Sequence, residues 1–296
     1  MSWPQKEAIA QGVLDMLRVN MGLESDEALL VVTDVPRIQD WRAEGAAKLE
    51  TMLERAVLAR LVAGVAAEHF ADCSVSFLPF PATGGHGTEP DRATAGRMRE
   101  ADVLIALTTY SLSHTNAREA ATVAGVRIAS MPSFEARMFE AGGPMAADYG
   151  RIAADCRAFA ELLTAAGEAV VRTSHGTDLR FSLEGRPGHV DDGLYGAAPG
   201  LWGNLPAGET FAVPVEGTGE GRLVAPAGWY PGLSEDMILR IERGEVVELQ
   251  GGGAVGDRFR RLLDLGSDDE VPRARCNLAE LGIGTNPNAR KPDNVL

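Results

Sequence analysis

Four short apolar runs, separated by stretches of helical periodicity, constrain the fold more than anything else in this chain. They are Ala28–Asp34, Cys73–Phe80, Ala101–Leu107 and Val126–Met131. Short apolar runs closed by polar turns are the signature of strands buried in a sheet. Around and between them, apolar residues recur at helical spacing from Trp3 to about Met21, from Ile38 to His69 and from Ala117 to Val123. Strands that alternate with helices imply right-handed crossovers, which produce a parallel, doubly wound sheet. The spacing predicts Ala101–Leu107 lying parallel to Val126–Met131.

The pattern changes after a helical segment around residues 145–167, which ends near Gly167. Short strands with Gly-rich turns follow: Thr177–Leu183, Thr210–Val215, Arg222–Ala225, Met237–Glu242 and Val246–Gln250, with one helix over Ala254–Leu265. The fold class expected is therefore α/β, with a doubly wound N-terminal domain over residues 1–165 and an α+β domain over 166–296.

Charge and cysteine usage exclude several kinds of function. The balance of 28 Lys and Arg against 42 Asp and Glu gives a net charge of −14. Such a surface repels a phosphate backbone, so nucleic acid is not expected as a partner. Cys73, Cys156 and Cys276 are odd in number and far apart, so they suggest neither a disulfide framework nor a thiolate zinc site. A reducing cytoplasm is the expected location. No apolar run is long enough to span a bilayer, and the N-terminus does not have the pattern of a leader peptide.

Four segments could carry chemistry. The loop Pro81–Pro90 follows a strand and is rich in glycine, but it matches neither the dinucleotide nor the P-loop spacing, so a surface loop is expected. Ser111–Asn116 sits after the third strand, where α/β proteins place ligand contacts. Asn116 with Glu119 fits a helix-capping box, and capping is the simpler reading. Glu209 follows the Pro206-Ala207-Gly208 turn at the entrance to an apolar strand, which restricts its freedom and suits it to holding a cation. In Cys276–Gly284, strand alternation puts Glu280, Gly282 and Gly284 on one face and Ala279, Leu281 and Ile283 on the other. The glycines leave an open trough beside the Glu280 carboxylate. The five histidines, His69, His86, His114, His175 and His189, are expected to be surface or capping residues.

The segments Trp202–Pro214 and Cys276–Gly284, together with Gly176–Leu179, Asp191–Gly193 and Ser113–Arg118, resemble the aminopeptidase T family of metallo-aminopeptidases. The resemblance runs over most of the chain. It implies that residues 166–296 form a metallopeptidase domain in which Glu209 and Glu280 are ligands. It further implies two divalent metal ions, zinc or cobalt, with manganese or magnesium as further options. The substrates would be peptides with a free N-terminus, and the assembly a homodimer. The family's remaining ligands, two His and an Asp with a nearby Tyr, would fall beyond Leu296, so the metal set of residues 1–296 is expected to be incomplete and the chain inactive as a peptidase. An alternative from the same fold is a non-haem iron, ring-cleaving dioxygenase of the dihydroxypyridine type, for which a His near the position of Glu280 would be expected. A third reading is an incomplete paralogue that binds a partner without catalysis.

Overall fold

A computed structural model of the chain describes residues 3–266 and 269–290. The first sheet has five parallel strands in the order β2-β1-β3-β4-β8. These are β1 (Ala28–Val35), β2 (Ser74–Pro81), β3 (Val103–Ala106), β4 (Arg127–Ser130) and β8 (Trp202–Asn204). β3 and β4 are parallel, with Ile105 opposite Ala129, as the crossover argument requires.

Each strand of the sheet centre divides its side chains between two apolar layers. Leu29 and Val31 of β1 and Val103 and Ile105 of β3 pack with the layer formed by α1 (Lys6–Asp15) and α3 (Ala46–His69). Leu30, Val32, Leu104 and Ala106 pack on the opposite layer, beside α4 (Arg92–Met98) and α5 (Asn116–Val123). Both faces are covered, which is why these strands are apolar without interruption. Fully burying one such side chain is worth roughly 1.5–3 kcal/mol.

The helical stretch expected from Ile38 to His69 is interrupted. A short α2 (Asp40–Ala43) ends at Glu44, whose extended backbone and the following Gly45 start α3 afresh. The cap of α5 is also shifted by one residue from expectation. The Thr115 hydroxyl, not Asn116, accepts from the N–H of Arg118 at 3.2 Å. Glu89 from the preceding loop accepts from the N–H groups of Asn116 and Ala117 at 2.6 and 3.1 Å, so a carboxylate distant in sequence does what Glu119 was expected to do.

The second half holds two antiparallel sheets beside α6 (Tyr149–Ala165). One has the order β12-β11-β10-β6-β5, built from β5 (Glu168–Arg172), β6 (Asp178–Ser182), β10 (Glu220–Ala225), β11 (Met237–Glu242) and β12 (Glu245–Gly251). α7 (Gly253–Leu263) and α8 (Glu270–Arg275) follow it. The other sheet has the order β13-β9-β7, from β7 (His189–Asp191), β9 (Glu209–Ala212) and β13 (Leu281–Gly284). β8 lies beyond residue 166 in sequence, yet it pairs in parallel with β4 and completes the first sheet. Among the described residues, no helix is long and apolar enough to cross a membrane.

Candidate active site

The three-stranded sheet carries one of the expected carboxylates, Glu209, beside a carboxylate that sequence reasoning did not single out, Asp191. Asp191 of β7 lies opposite Glu209 of β9, and Glu209 lies opposite Gly284 of β13. One step along, His189, Phe211 and Gly282 form the next row. Because pleating puts every second residue on the same side, Asp191, Glu209, His189, Phe211, Gly282 and Gly284 share a face. The strand expected over Cys276–Gly284 is shorter, β13 beginning only at Leu281, so Glu280 lies just outside it, near enough for its charge to be felt at Glu209. The opposite side of β9 is fully buried: Thr210 and Ala212 are both 0% exposed, and the Thr210 hydroxyl donates to the Cys156 carbonyl of α6 at 2.9 Å.

Local chain geometry fixes where Glu209 stands. The Leu205-Pro206 bond is cis and Gly208 has φ +122°, a left-handed value that favours glycine. The Gly208 N–H donates to the Asp191 carbonyl at 3.1 Å, and the Gly208 carbonyl accepts from Thr285 N–H at 2.8 Å. Asn286 Nδ2 donates to the Ala207 carbonyl at 2.9 Å. A Cβ on Gly208 would press within 2.8 Å of the Asn286 Cβ. The turn before Glu209 is thus held from both neighbouring strands, so the carboxylate is presented on a rigid base.

The glycines of β13 do not leave the continuous open trough expected beside Glu280. A Cβ on Gly282 would collide with the Glu209 carboxylate, which therefore lies across the space that glycine leaves. Nothing stands within 4 Å of a Cβ placed on Gly284, so the trough is open there.

Electrostatics confirm that the carboxylates sense one another. Burial pushes the half-buried Glu209 carboxyl above its ordinary range, and the negative charges of Glu280 and Asp191 push it further. Among the described residues, neither Glu209 nor Glu280 has an ion pair. Burial raises Asp191 to about 6, with the Asp192 charge adding to the effect and hydrogen bonds from Tyr195 and the Gly193 N–H opposing it. The Tyr195 hydroxyl stands 3.0 Å from Asp191 Oδ1 and 2.9 Å from the Asn204 carbonyl. One phenolic proton cannot fully serve two acceptors, so a proton on Asp191 would complete the chain of hydrogen bonds.

Asp191 and Tyr195 were not singled out as site residues from sequence, although Asp191–Gly193 carried part of the family resemblance. His189 was set aside as a surface or capping residue. It is exposed, but its ring stacks on Phe211 with centroids 4.9 Å apart and 22° between planes. The other expected candidates lie elsewhere. Ser113 Oγ is buried within hydrogen-bonding distance of Ser111, Ser130 and Asn204, tying the first sheet to the turn that leads to Glu209. His86 accepts from the Ser111 N–H at 3.1 Å through Nδ1.

The donor chemistry of the carboxylate face suits a hard or borderline divalent cation. Among the described residues, however, no group of three or more His, Cys, Asp or Glu side chains comes together closely enough to hold a metal ion. The described residues therefore do not make up a metal centre by themselves.

Comparison with known proteins adds three findings. The family model described as "NicX: 2,5-dihydroxypyridine 5,6-dioxygenase" matches residues 56–293. A solved structure of 2,5-dihydroxypyridine dioxygenase from Pseudomonas putida KT2440 is similar, with 20% identity and a TM-score of 0.63, covering 97% of this chain and 78% of that one. Wild-type AmpT from Thermus thermophilus is similar at 18% identity and a TM-score of 0.55, covering 94% of this chain and 78% of that one. No curated protein matches the sequence. At these identities the two solved structures show a shared fold. The family match favours the dioxygenase alternative over the aminopeptidase T reading, whose support is the fold alone.

Proposed function

Because the chain belongs to the 2,5-dihydroxypyridine 5,6-dioxygenase family, we propose that it serves metal-dependent oxidative opening of a dihydroxylated pyridine-type ring. The observation that supports placing the site on the β7-β9-β13 face is that Glu209 is half-buried and feels the negative charges of Glu280 and Asp191, while neither glutamate has an ion pair among the described residues. Half-buried carboxylates that repel one another are stabilised when a bound cation supplies the missing charge. Glu209 and Glu280 would contribute to holding that metal. When bound, a redox-active metal such as iron supplies the one-electron chemistry that dioxygen needs to react with a closed-shell ring. The chain's own residues do the rest. The stacked His189 and Phe211 rings offer a flat wall for a planar substrate, and the open space beside Gly284 admits it. Asp191, hydrogen-bonded to Tyr195 and opposite Glu209, can take up a proton as the pH falls toward about 6.

A second reading keeps the aminopeptidase activity. It is favoured by one observation: carboxylates, and not a histidine, stand at both 209 and 280, as a site for two zinc or cobalt ions would require. Peptides with a free N-terminus would be its substrates, and a homodimer its assembly. One experiment separates the readings. Purified protein loaded anaerobically with Fe(II) is mixed with 2,5-dihydroxypyridine in air, and oxygen uptake and loss of ring absorbance are followed. In parallel, protein loaded with Zn(II) or Co(II) is assayed for arylamine release from an aminoacyl anilide. The proposal expects stoichiometric oxygen uptake in the first assay, lost in Glu209→Ala. Arylamine release without oxygen uptake would replace it with the second reading.

A further inference from the structure

We propose that a second site, a cavity of about 500 Å³ between α1, α3 and the segment 134–140, binds a small zwitterion of the amino-acid kind, its carboxylate inward on Arg55 and its ammonium at the mouth. Arg55 lines this cavity and is 4% exposed. Its guanidinium donates from Nε to the Phe134 carbonyl at 3.3 Å and from Nη1 to Thr109 Oγ1 at 2.7 Å. Among the described residues it makes no ion pair, and Nη2 has no partner. The nearest help is indirect. Asp34, and more weakly Glu135 and Glu54, attract Arg55 without contacting it, and the Asp34 carboxylate is already taken up by the N–H groups of Thr109 and Tyr110 at 2.6 and 3.1 Å.

A buried guanidinium without a contacting anion is costly, and its planar fork of donors matches a carboxylate. The rest of the lining says which carboxylate. Glu135 is paired with Arg137, whereas Glu54 and Glu140 have no ion pair among the described residues. The cavity thus holds a buried cation together with two more exposed carboxylates. That gradient opposes a simple polyanion such as phosphate and complements a molecule with an inner carboxylate and an outer ammonium. Leu58 and Phe134 provide apolar surface for an aliphatic side chain. The cavity shares no residue with the carboxylate face, so the proposal stands or falls independently of ring cleavage.

Titration calorimetry on the full chain tests it with L-leucine and two one-ended relatives, 4-methylpentanoate and 3-methylbutylamine. L-Leucine is expected to bind, and each relative to bind at least about tenfold more weakly. Arg55→Met should abolish leucine binding. Because that variant removes a buried charge and can fail to fold, Glu54→Gln/Glu140→Gln, which changes only the mouth, provides the second arm. It should weaken leucine severalfold without weakening 4-methylpentanoate. No binding of L-leucine to the unaltered chain at concentrations up to about 10 mM, equal binding of 4-methylpentanoate, or undiminished leucine binding by the Glu54→Gln/Glu140→Gln variant would each overturn the assignment.

Discussion

The centre of the parallel sheet and the three-stranded sheet that carries Glu209 use strands of similar length to opposite ends. Every residue of β3 and β4 is buried, because helices or helix-bearing layers cover both faces. In β9 burial alternates instead, with Thr210 and Ala212 closed off and Glu209 and Phe211 partly open. A strand covered on both sides has no face left for chemistry, and its sequence is constrained only to be apolar and of the right size. A strand with one open face can hold carboxylates there while its other face anchors it to the core.

Four substitutions can break or sharpen that contrast. Ile105→Asp, which buries a charge without a partner in β3, should be the most damaging, costing more than about 4 kcal/mol and leaving little folded protein. Urea unfolding and soluble yield measure it, and a stable variant would mean that the sheet centre is not closed.

Asp191→Asn should act through pH. In the folded, metal-free chain Asp191 titrates at about 6, whereas an unfolded Asp titrates near 3.9. Between about pH 4 and 6 the folded state therefore binds more protons than the unfolded state, so this group lowers stability as pH rises through that window. The loss, discounted for partial exposure, is on the order of 2 kcal/mol. Midpoints of urea unfolding from about pH 4 to 7 should flatten in Asp191→Asn, and an unchanged slope would remove Asp191 from the explanation.

Gly282→Ala should leave global stability within about 1 kcal/mol, since the group it meets is the flexible end of Glu209. It should displace that carboxylate and weaken Mn(II) or Fe(II) binding about tenfold, or about 1.4 kcal/mol, by calorimetry. Equal affinity would separate Glu209 from the metal. The smallest effect is expected from Glu280→Gln. Removing one of the charges that raise Glu209 should move the Glu209 carboxyl back toward its ordinary range, followed by NMR titration of its side-chain carbon. No movement would mean that the two carboxylates do not sense each other's charge.

Much of this architecture was legible in the sequence because local rules govern it. The apolar runs 28–34 and 101–107 had to be strands covered on both sides, since nothing else buries them. The alternation of Gly282 and Gly284 along one strand was legible in the same way, since strand parity is a property of the chain itself, whereas Glu280 fell just outside that strand. The family resemblance led to the right fold, but its motifs are common to ring-cleaving and peptide-cleaving relatives, so it placed the chain first among the aminopeptidases.

Other features depend on which distant segments meet, and no local pattern reports that. Trp202–Asn204 is too short to read as a strand, and it became one only because the edge of β4 was available to pair with it. Thr115, not Asn116, is the helix cap because the backbone is still extended at Thr115 and already helical at Asn116, whose N–H is served by Glu89, 27 residues away. His189 looked like an ordinary surface residue until β7 was set beside β9 and its ring met Phe211. Arg55 lies on what the sequence shows as one more turn of a long helix. Only the packing of α3 against the sheet decided that its charge would be buried at the base of a cavity, because burial is set by the elements that surround a residue and not by its neighbours in the chain.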